Sequence, residues 1–282
     1  MDEFELERRE FAKQHKIAEK QMLPYFRKAL RQHIAPFMQY IEINSTVAVP
    51  RGLISTLLDT LVWSKVYNQV YEKIGVKFAR REYYRQKRVD NEEEKASIGF
   101  LIDIWSSILR DYSLTYVYNI SRELTDTTIK IIEEALSDTA SLELDEKGRV
   151  RLVIKNITDK MKLRSLTISR TETTTVSNIG KEIGAVSWIN EQGGQGYRVW
   201  LGRIARERDT HIAVNNTVLP LDEMYTVGTE QALRPGDVHL SAKERINCRC
   251  SQTIMSQNRY NALVKRGRIV NGKLLGASGS AY

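Results

Sequence analysis

Thiol is the scarcest chemistry in this chain. Cys248 and Cys250 are the only cysteines among 282 residues, and they stand one residue apart. A bridge between them would close a small, strained ring, so a disulfide framework is excluded. The two thiols are left to bind a metal or to pack. Long apolar runs are missing as well: none approaches the ~18 residues that a membrane span requires. The opening residues, Met1-Asp2-Glu3-Phe4-Glu5, are acidic and have neither the basic start nor the apolar centre of a signal peptide. The expectation is a protein made in a cytoplasm and without a membrane partner. No phosphate-cradling loop is present either. Gly193-Gly194-Gln195-Gly196 lacks the lysine and the helix start of a nucleotide loop and reads as a hairpin turn. No nucleophile elbow accompanies a Ser/His/Asp order.

What the chain does have is positive charge. Lysine and arginine number 43 against 35 acidic residues, a formal excess of +8, which favours nucleic acid or an acidic protein surface as partner. An apolar fraction of 41% is enough for a folded core. The length allows two compact units, or one with a long appendage.

Periodicity divides the chain. Residues 1–44 read as one helix or two, with Phe4, Phe11, Ile17, Leu23, Phe26, Leu30 and Ile34 at near-helical spacing and Pro24 and Pro36 expected to kink or restart it. After a break at 44–50, helical spacing returns from Leu53 to about Arg88, with Leu53, Leu57, Leu61, Val66 and Val70 as candidate core face. Two further helices are expected over 97–111 and 115–136. Asp145-Glu146-Lys147-Gly148 reads as a turn, and Val150–Ile154 as β-prone or a helix start. Residues 163–183 read as a helix broken near Gly180 and Gly184, its centre rich in threonine, a poor helix former. Beyond it, Tyr197, Val199 and Leu201 alternate like a half-buried strand, and 218–221 is a second candidate. From Ser256 onward the chain holds Arg259, Lys265, Arg266, Arg268 and Lys273 and no acid, and it ends in a flexible composition.

The second half concentrates its unusual residues in a fixed order. Ser169-Arg170-Thr171-Glu172-Thr173 is followed by Asn178, then by Trp200, Arg206, Asp209 and His211. Leu221-Asp222 and Tyr225 come next, then Arg234-Pro235-Gly236-Asp237, and last Asn247-Cys248-Arg249-Cys250. In order and approximate spacing, over residues 105–253, these resemble the Mu F-like minor head protein family of tailed bacteriophages. One departure is Asn215-Asn216-Thr217, where relatives often carry a glycine turn; asparagine tolerates left-handed backbone, so a turn is expected to persist.

The resemblance implies an α+β fold: a helical, partner-binding region over 1–104, a compact mixed domain with a small antiparallel sheet over 105–253, and a basic flexible tail over 254–282. It implies a structural protein of the capsid interior, associated with the portal, acting in head assembly and in DNA packaging or delivery. The portal protein and the major capsid protein are the expected partners, with packaged double-stranded DNA as a further one. The expected place is the virion, after synthesis in the host cytoplasm. No catalytic residue is expected. Arg170, Glu172, Asn178, Trp200, Arg206, Asp209, His211, Pro235, Asn247, Cys248, Arg249 and Cys250 are then structural.

The residues leave alternatives open. No cofactor is called for, yet His211, His239, Cys248 and Cys250 form a zinc-compatible set, although zinc cysteines are usually two to four residues apart. Otherwise the two thiols pack on one face of a strand while Asn247 and Arg249 hydrogen-bond backbone nearby. A nuclease would draw on Asp209, His211, Asn215, Asp222 and His239; against it, Arg206, Arg208 and Asp209 read equally well as an ion network reaching the threonine-rich helix through Glu172. Lys77, Arg80, Arg81, Arg85, Lys87 and Arg88, with aromatics between them, would grip phosphates from one side of a helix. The rival reading is a solvated helix end with Tyr83 and Tyr84 turned inward. Lys265, Arg266 and Arg268 are a second electrostatic candidate, for DNA or for an acidic portal surface.

Overall fold

The computed structural model describes residues 2–89, 99–140, 143–202 and 208–276. Arg206, one of the motif residues, lies outside them. The chain runs through α1 (Glu3–Ile43), α2 (Arg51–Thr56) and α3 (Leu61–Val70), then a π-helical turn (Tyr71–Gly75) into α4 (Val76–Val89). Two long helices follow, α5 (Gly99–Ala140) and α6 (Glu146–Glu191). The remainder is mixed: β1 (Gly196–Leu201), α7 (Asp209–Val214), β2 (Val218–Pro220), β3 (Tyr225–Val227), β4 (Glu230–Ala232), α8 (Ala242–Arg245), β5 (Ser251–Ser256), α9 (Gln257–Lys265), β6 (Ile269–Val270) and β7 (Lys273–Leu274). The fold is α+β, with long helices and small antiparallel sheets. No described helix is long and apolar enough to cross a membrane.

Several sequence expectations fail in instructive ways. Of the two readings of residues 1–44 the single helix holds: Pro24 and Pro36 both lie inside α1 and do not restart it. Each costs about 3 kcal/mol in a helix interior. Around them Met22, Phe26, Ile34 and Phe37 are buried, and burial of such side chains is worth roughly 1.5–3 kcal/mol each, enough to hold the helix together. α6 begins at Glu146, through the segment that reads as turn and β-prone run, because Asp145 caps it: its Oδ1 accepts the Gly148 N–H at 2.8 Å. Val150 and Val153 then fall on its buried face. The two helices expected over 97–136 are one, α5. On α3 the buried face is Val62, Trp63, Val66, Tyr67 and Val70, while Leu61 is exposed.

Gly180 and Gly184 do not break α6; they let another backbone come close. A Cβ on Gly180 would lie 2.4 Å from the Gly75 carbonyl oxygen, and one on Gly184 would lie 2.0 Å from that of Ala79. Gly193, at φ +63°, instead ends the helix, its N–H bonded to the Asn190 carbonyl at 3.0 Å. The Gly193–Gly196 stretch is therefore a helix-to-strand link, not a hairpin turn.

Two compact units emerge, and they cut across the boundaries at 104 and 253. One comprises Met1–Lys20, Tyr71–Arg110 and Arg170–Tyr282; the other comprises Gln21–Val70 and Asp111–Ser169. The sequence boundary at 104/105 falls inside α5, and α1, α5 and α6 each contribute residues to both units. Among its described residues, the regular structure of the second unit is helical. Phe26 meets Tyr67 edge-on at 5.5 Å, and buried His33 lies against Trp63 while its Nδ1–H donates to the Asp59 carbonyl at 2.7 Å.

The first unit holds every strand. Its main sheet has the order β2-β1-β5, all antiparallel, with Tyr197 opposite Met255 and Trp200 opposite Gln252. Val199, Leu201 and Met255 pack on one side with Phe4 of α1 and Leu263 of α9. Ile254 packs on the other with Ala185 and Ile189 of α6. β1 is thus covered on both faces rather than half-buried. Its polar member, Arg198, is 2% exposed because its guanidinium donates to the Leu221 and Leu233 carbonyls. The expected flexible tail is folded through residue 276: β5, α9 and the β6–β7 hairpin belong to this unit, and Arg268 is tied to Asp2 and to the Leu275 carbonyl.

Gly184→Ala is expected to lower stability by about 1–3 kcal/mol, the usual cost of overpacking against backbone. Gly52→Ala, where a Cβ meets nothing within 4 Å, should be neutral or stabilising by less than about 1 kcal/mol. Paired urea denaturation curves separate the two.

Candidate functional site

The threonine-rich centre of α6 is where the C-terminal loops attach. Thr171, Thr173, Thr174, Thr175 and Asn178 are all nearly or wholly buried. Their helix propensity is poor, but each hydroxyl or amide facing a loop finds backbone. Thr174 donates to the Cys248 carbonyl, and Thr175 donates to the Gly236 carbonyl at 2.8 Å. Thr171 accepts the Asn247 N–H at 3.2 Å. Asn178 Nδ2 reaches the carbonyls of Pro235 and Cys250 at 3.1 Å each, and its Oδ1 accepts the Gln252 N–H at 3.0 Å. Buried loop backbone must find partners somewhere, and this band of one helix supplies them.

The loops are shaped to receive it. Gly236 sits at φ +74°, where a Cβ would crowd Thr174 and Thr175 at 3.1 Å. Asp237 is 1% exposed, and its carboxylate accepts the N–H groups of Leu233 and His239 at 2.7 and 3.1 Å. Burial works against the Asp237 carboxylate, but Arg234 and these N–H groups hold its pKa below the usual range. Arg234 makes a two-pronged pair with Glu182, both oxygens at 2.8 Å. Asn247 takes left-handed backbone at φ 58°, and Asn216 does so at φ 61°, the turn expected there.

Trp200 of β1 is fully buried, edge-on to His211 at 5.5 Å and to Tyr225 at 5.3 Å. Beyond His211 lie the two cysteines, both 2% exposed. His211 Nδ1 is 3.3 Å from Cys250 Sγ and 3.8 Å from Cys248 Sγ. On the far side of the ring, Nε2 is 3.3 Å from a Glu244 carboxylate oxygen. That same oxygen accepts the Thr210 hydroxyl at 2.7 Å. The Cys250 thiol, then His211, holds the Cys248 thiol well below its ordinary range against the opposing effect of burial.

His239 is not part of this group: its side chain is 68% exposed and bonds Asp237 at 2.8 Å. The nuclease set does not assemble either. Asp209 and Asp222 are exposed, and among the described residues the only potential metal-binding group is His211, Cys248 and Cys250. Arg208 does not reach Glu172; it donates to the carbonyls of Glu244 and Ile246. Buried Glu172 instead accepts the Tyr71 hydroxyl at 3.4 Å. Arg170 and Arg249, far apart in sequence, meet at Glu19 of α1, at 3.0 and 3.6 Å.

The basic helix divides by side. Arg85 donates to Glu82 and to the Thr253 hydroxyl, both at 3.0 Å, and faces Glu7 at 3.4 Å. Lys87 is buried over the rings of Tyr83 and Trp188. Neither is placed to hold phosphate. Arg81 is exposed but pairs with Glu10, and Lys77, Arg80 and Arg88 are exposed, as are Lys265 and Arg266. Tyr83 turns inward as the rival reading expected, its hydroxyl donating to Glu191 at 2.8 Å.

Glu7 was invisible to sequence reasoning, since its partners are more than seventy residues away. Its carboxylate pairs with Lys181 at 2.8 Å and accepts the Thr253 hydroxyl at 2.9 Å. Burial by itself would raise this carboxyl, but Arg85 and Lys181 outweigh it and bring the pKa down to about 2. Glu244 is likewise silent in the sequence, because its partners Thr210 and His211 lie on α7 some thirty residues upstream; its only signal is a place three residues before Asn247. Comparison with protein-family models, curated proteins and solved structures finds no match.

Asn178→Ala is expected to cost about 3 kcal/mol, because buried carbonyls lose their donor. Asn178→Asp should fare no better, since a carboxylate cannot donate to Pro235 and Cys250. Urea denaturation reads both. Glu7→Gln tests the ion cluster. The folded pKa lies below the ordinary 4.5, so the carboxylate's contribution is complete above pH 4.5 and fades as pH falls toward 2. The variant should be less stable by roughly 3 kcal/mol at pH 7 and approach the parent between pH 4.5 and 2. A gap that stays constant over that window would show that Glu7 is not charged in the fold.

Proposed function

We propose that this chain is a minor head protein of a tailed bacteriophage, a structural component of the capsid interior that sits near the portal and serves head assembly and DNA packaging or delivery. One observation carries the reading. The separate segments on which the family resemblance rests converge on one buried scaffold: the 170–178 part of α6 binds the Pro235–Gly236 loop and the Asn247–Cys250 segment, and β1 with Trp200 pairs with the strand that follows Cys250. Asn178 and the threonines beside it spend their polar groups on the backbone of these loops, and Arg170 and Arg249 spend theirs on Glu19, as a scaffold requires.

Contact with packaged double-stranded DNA would fall to the exposed cations Lys77, Arg80, Arg88, Lys265 and Arg266, which can neutralise phosphates without reading sequence. The portal and major capsid proteins are the protein partners of this reading.

The test is occupancy. Mass spectrometry of gradient-purified particles should find the chain in few copies, and cross-linking should join it to the portal. Asn178→Ala should reduce its incorporation. Its absence from mature particles and from assembling heads would remove the proposal.

A further inference from the structure

We propose that His211, Cys248 and Cys250 bind one zinc ion, with Glu244 as the positioning residue behind the imidazole. The proposal stands on side-chain geometry alone and is independent of the virion reading.

Both sulfurs approach the same ring nitrogen. One ring nitrogen offers a single N–H or a single lone pair, and two sulfurs that also hydrogen-bond each other are gathered on it. A metal would gather all three. With Zn–S near ~2.3 Å and Zn–N near ~2.0–2.1 Å, the sulfur-to-nitrogen edge of a tetrahedron is ~3.6 Å. The observed separations of 3.3 and 3.8 Å bracket that edge. All three ligand atoms lie within 4.8 Å of one another.

The spacing objection to Cys-x-Cys also falls. Asn247 turns the chain in left-handed geometry, and beyond it the chain runs into β5. The two side chains, two residues apart, reach the same spot. The Thr174 hydroxyl on the Cys248 carbonyl and Asn178 on the Cys250 carbonyl fix the backbone that presents them.

Glu244 completes the argument. A histidine that ligates metal through one nitrogen almost always donates its other N–H, commonly to a carboxylate. Here Nδ1 faces the sulfurs and Nε2 faces buried Glu244 at 3.3 Å. The two are close without a hydrogen bond, since Nε2 is a buried atom with no acceptor; ligation through Nδ1 would place the proton on Nε2, beside this carboxylate. Two thiolates and an imidazole are a donor set suited to zinc. The three protein donors occupy three corners of a tetrahedron, and the fourth falls to water or another small ligand. Binding would release the thiol protons and would tie α7 to the segment entering β5.

The test uses the full chain, purified under reducing conditions. Elemental analysis should find about one zinc per chain. After the metal is stripped, titration with cobalt(II) should saturate near one equivalent. Thiolate-to-cobalt charge-transfer bands in the near ultraviolet and intense tetrahedral bands in the red should appear. Glu244→Gln should retain the spectrum but weaken zinc affinity about 10–100-fold. Cys248→Ser and Cys250→Ser should each reduce the charge-transfer intensity, and His239→Ala should change nothing. If a cysteine variant fails to fold, the wild-type titration and Glu244→Gln still decide the matter. A parent chain that stays folded, binds no stoichiometric metal and gives no cobalt bands overturns the proposal. So does a spectrum that survives replacement of Cys248.

Discussion

The C-terminal half depends on the pairing of buried loop backbone with the polar stripe of α6. Residues 233–252 form little regular structure, so their carbonyls and N–H groups have few ladder partners. In a buried place each unpaired group would cost about 1–3 kcal/mol. Thr171, Thr174, Thr175 and Asn178 remove that cost by offering hydroxyl and amide groups at successive turns of one rigid helix. The stripe also fixes register: because each side chain matches one carbonyl or N–H, the loops can dock in one place only. That is how an element made of poor helix formers becomes the frame of the domain.

Charge follows the same economy. A net positive chain suggests a surface spread with free cations, yet many of the strongest cations are enclosed. Arg85, Lys181, Arg198 and Arg234 are gathered by Glu7, Glu82 and Glu182 or by carbonyls, in and around the sheet. Desolvation of so many ions is offset only because each has more than one partner. Of the cations that the sequence offers as a phosphate grip, those left exposed lie on α4, at Lys77, Arg80, Arg81 and Arg88, and at the end of α9, at Lys265 and Arg266.

The Trp200–His211–cysteine cluster combines packing with coordination chemistry. Trp200 lies edge-on to the imidazole and is itself edge-on to Tyr225, and the thiols and Glu244 lie beside its two nitrogens. All three donors are buried, so an ion held by them would tie together the segments that carry them. Scaffold and ion would then act together: the α6 stripe holds the closing segment by its backbone, and the metal holds it by its side chains.

Much of this was legible in the chain. The α+β class, the strand at Tyr197–Leu201, its partner at Val218–Pro220 and the left-handed turn at Asn216 follow from local pattern and residue chemistry. Donor chemistry alone grouped His211 and the two cysteines with His239; their meeting, and the exclusion of His239, were decided by the tertiary structure. Local pattern misled where a distant contact set the outcome. Pro24 and Pro36 stay within a helix because buried neighbours hold it, and Gly180 and Gly184 are close approaches rather than breaks. Threonines that should weaken α6 face loops that need them, and Arg85 and Lys87 leave the expected DNA-binding set because carboxylates and rings from elsewhere claim them. By itself the sequence determined which residue types were available and which local backbone they favour, since propensity, turn geometry and donor chemistry belong to single residues and near neighbours. Only the tertiary structure decided which polar groups are consumed by the fold and which face outward, because that depends on partners brought together from across the chain and on the cost of leaving any buried group without one.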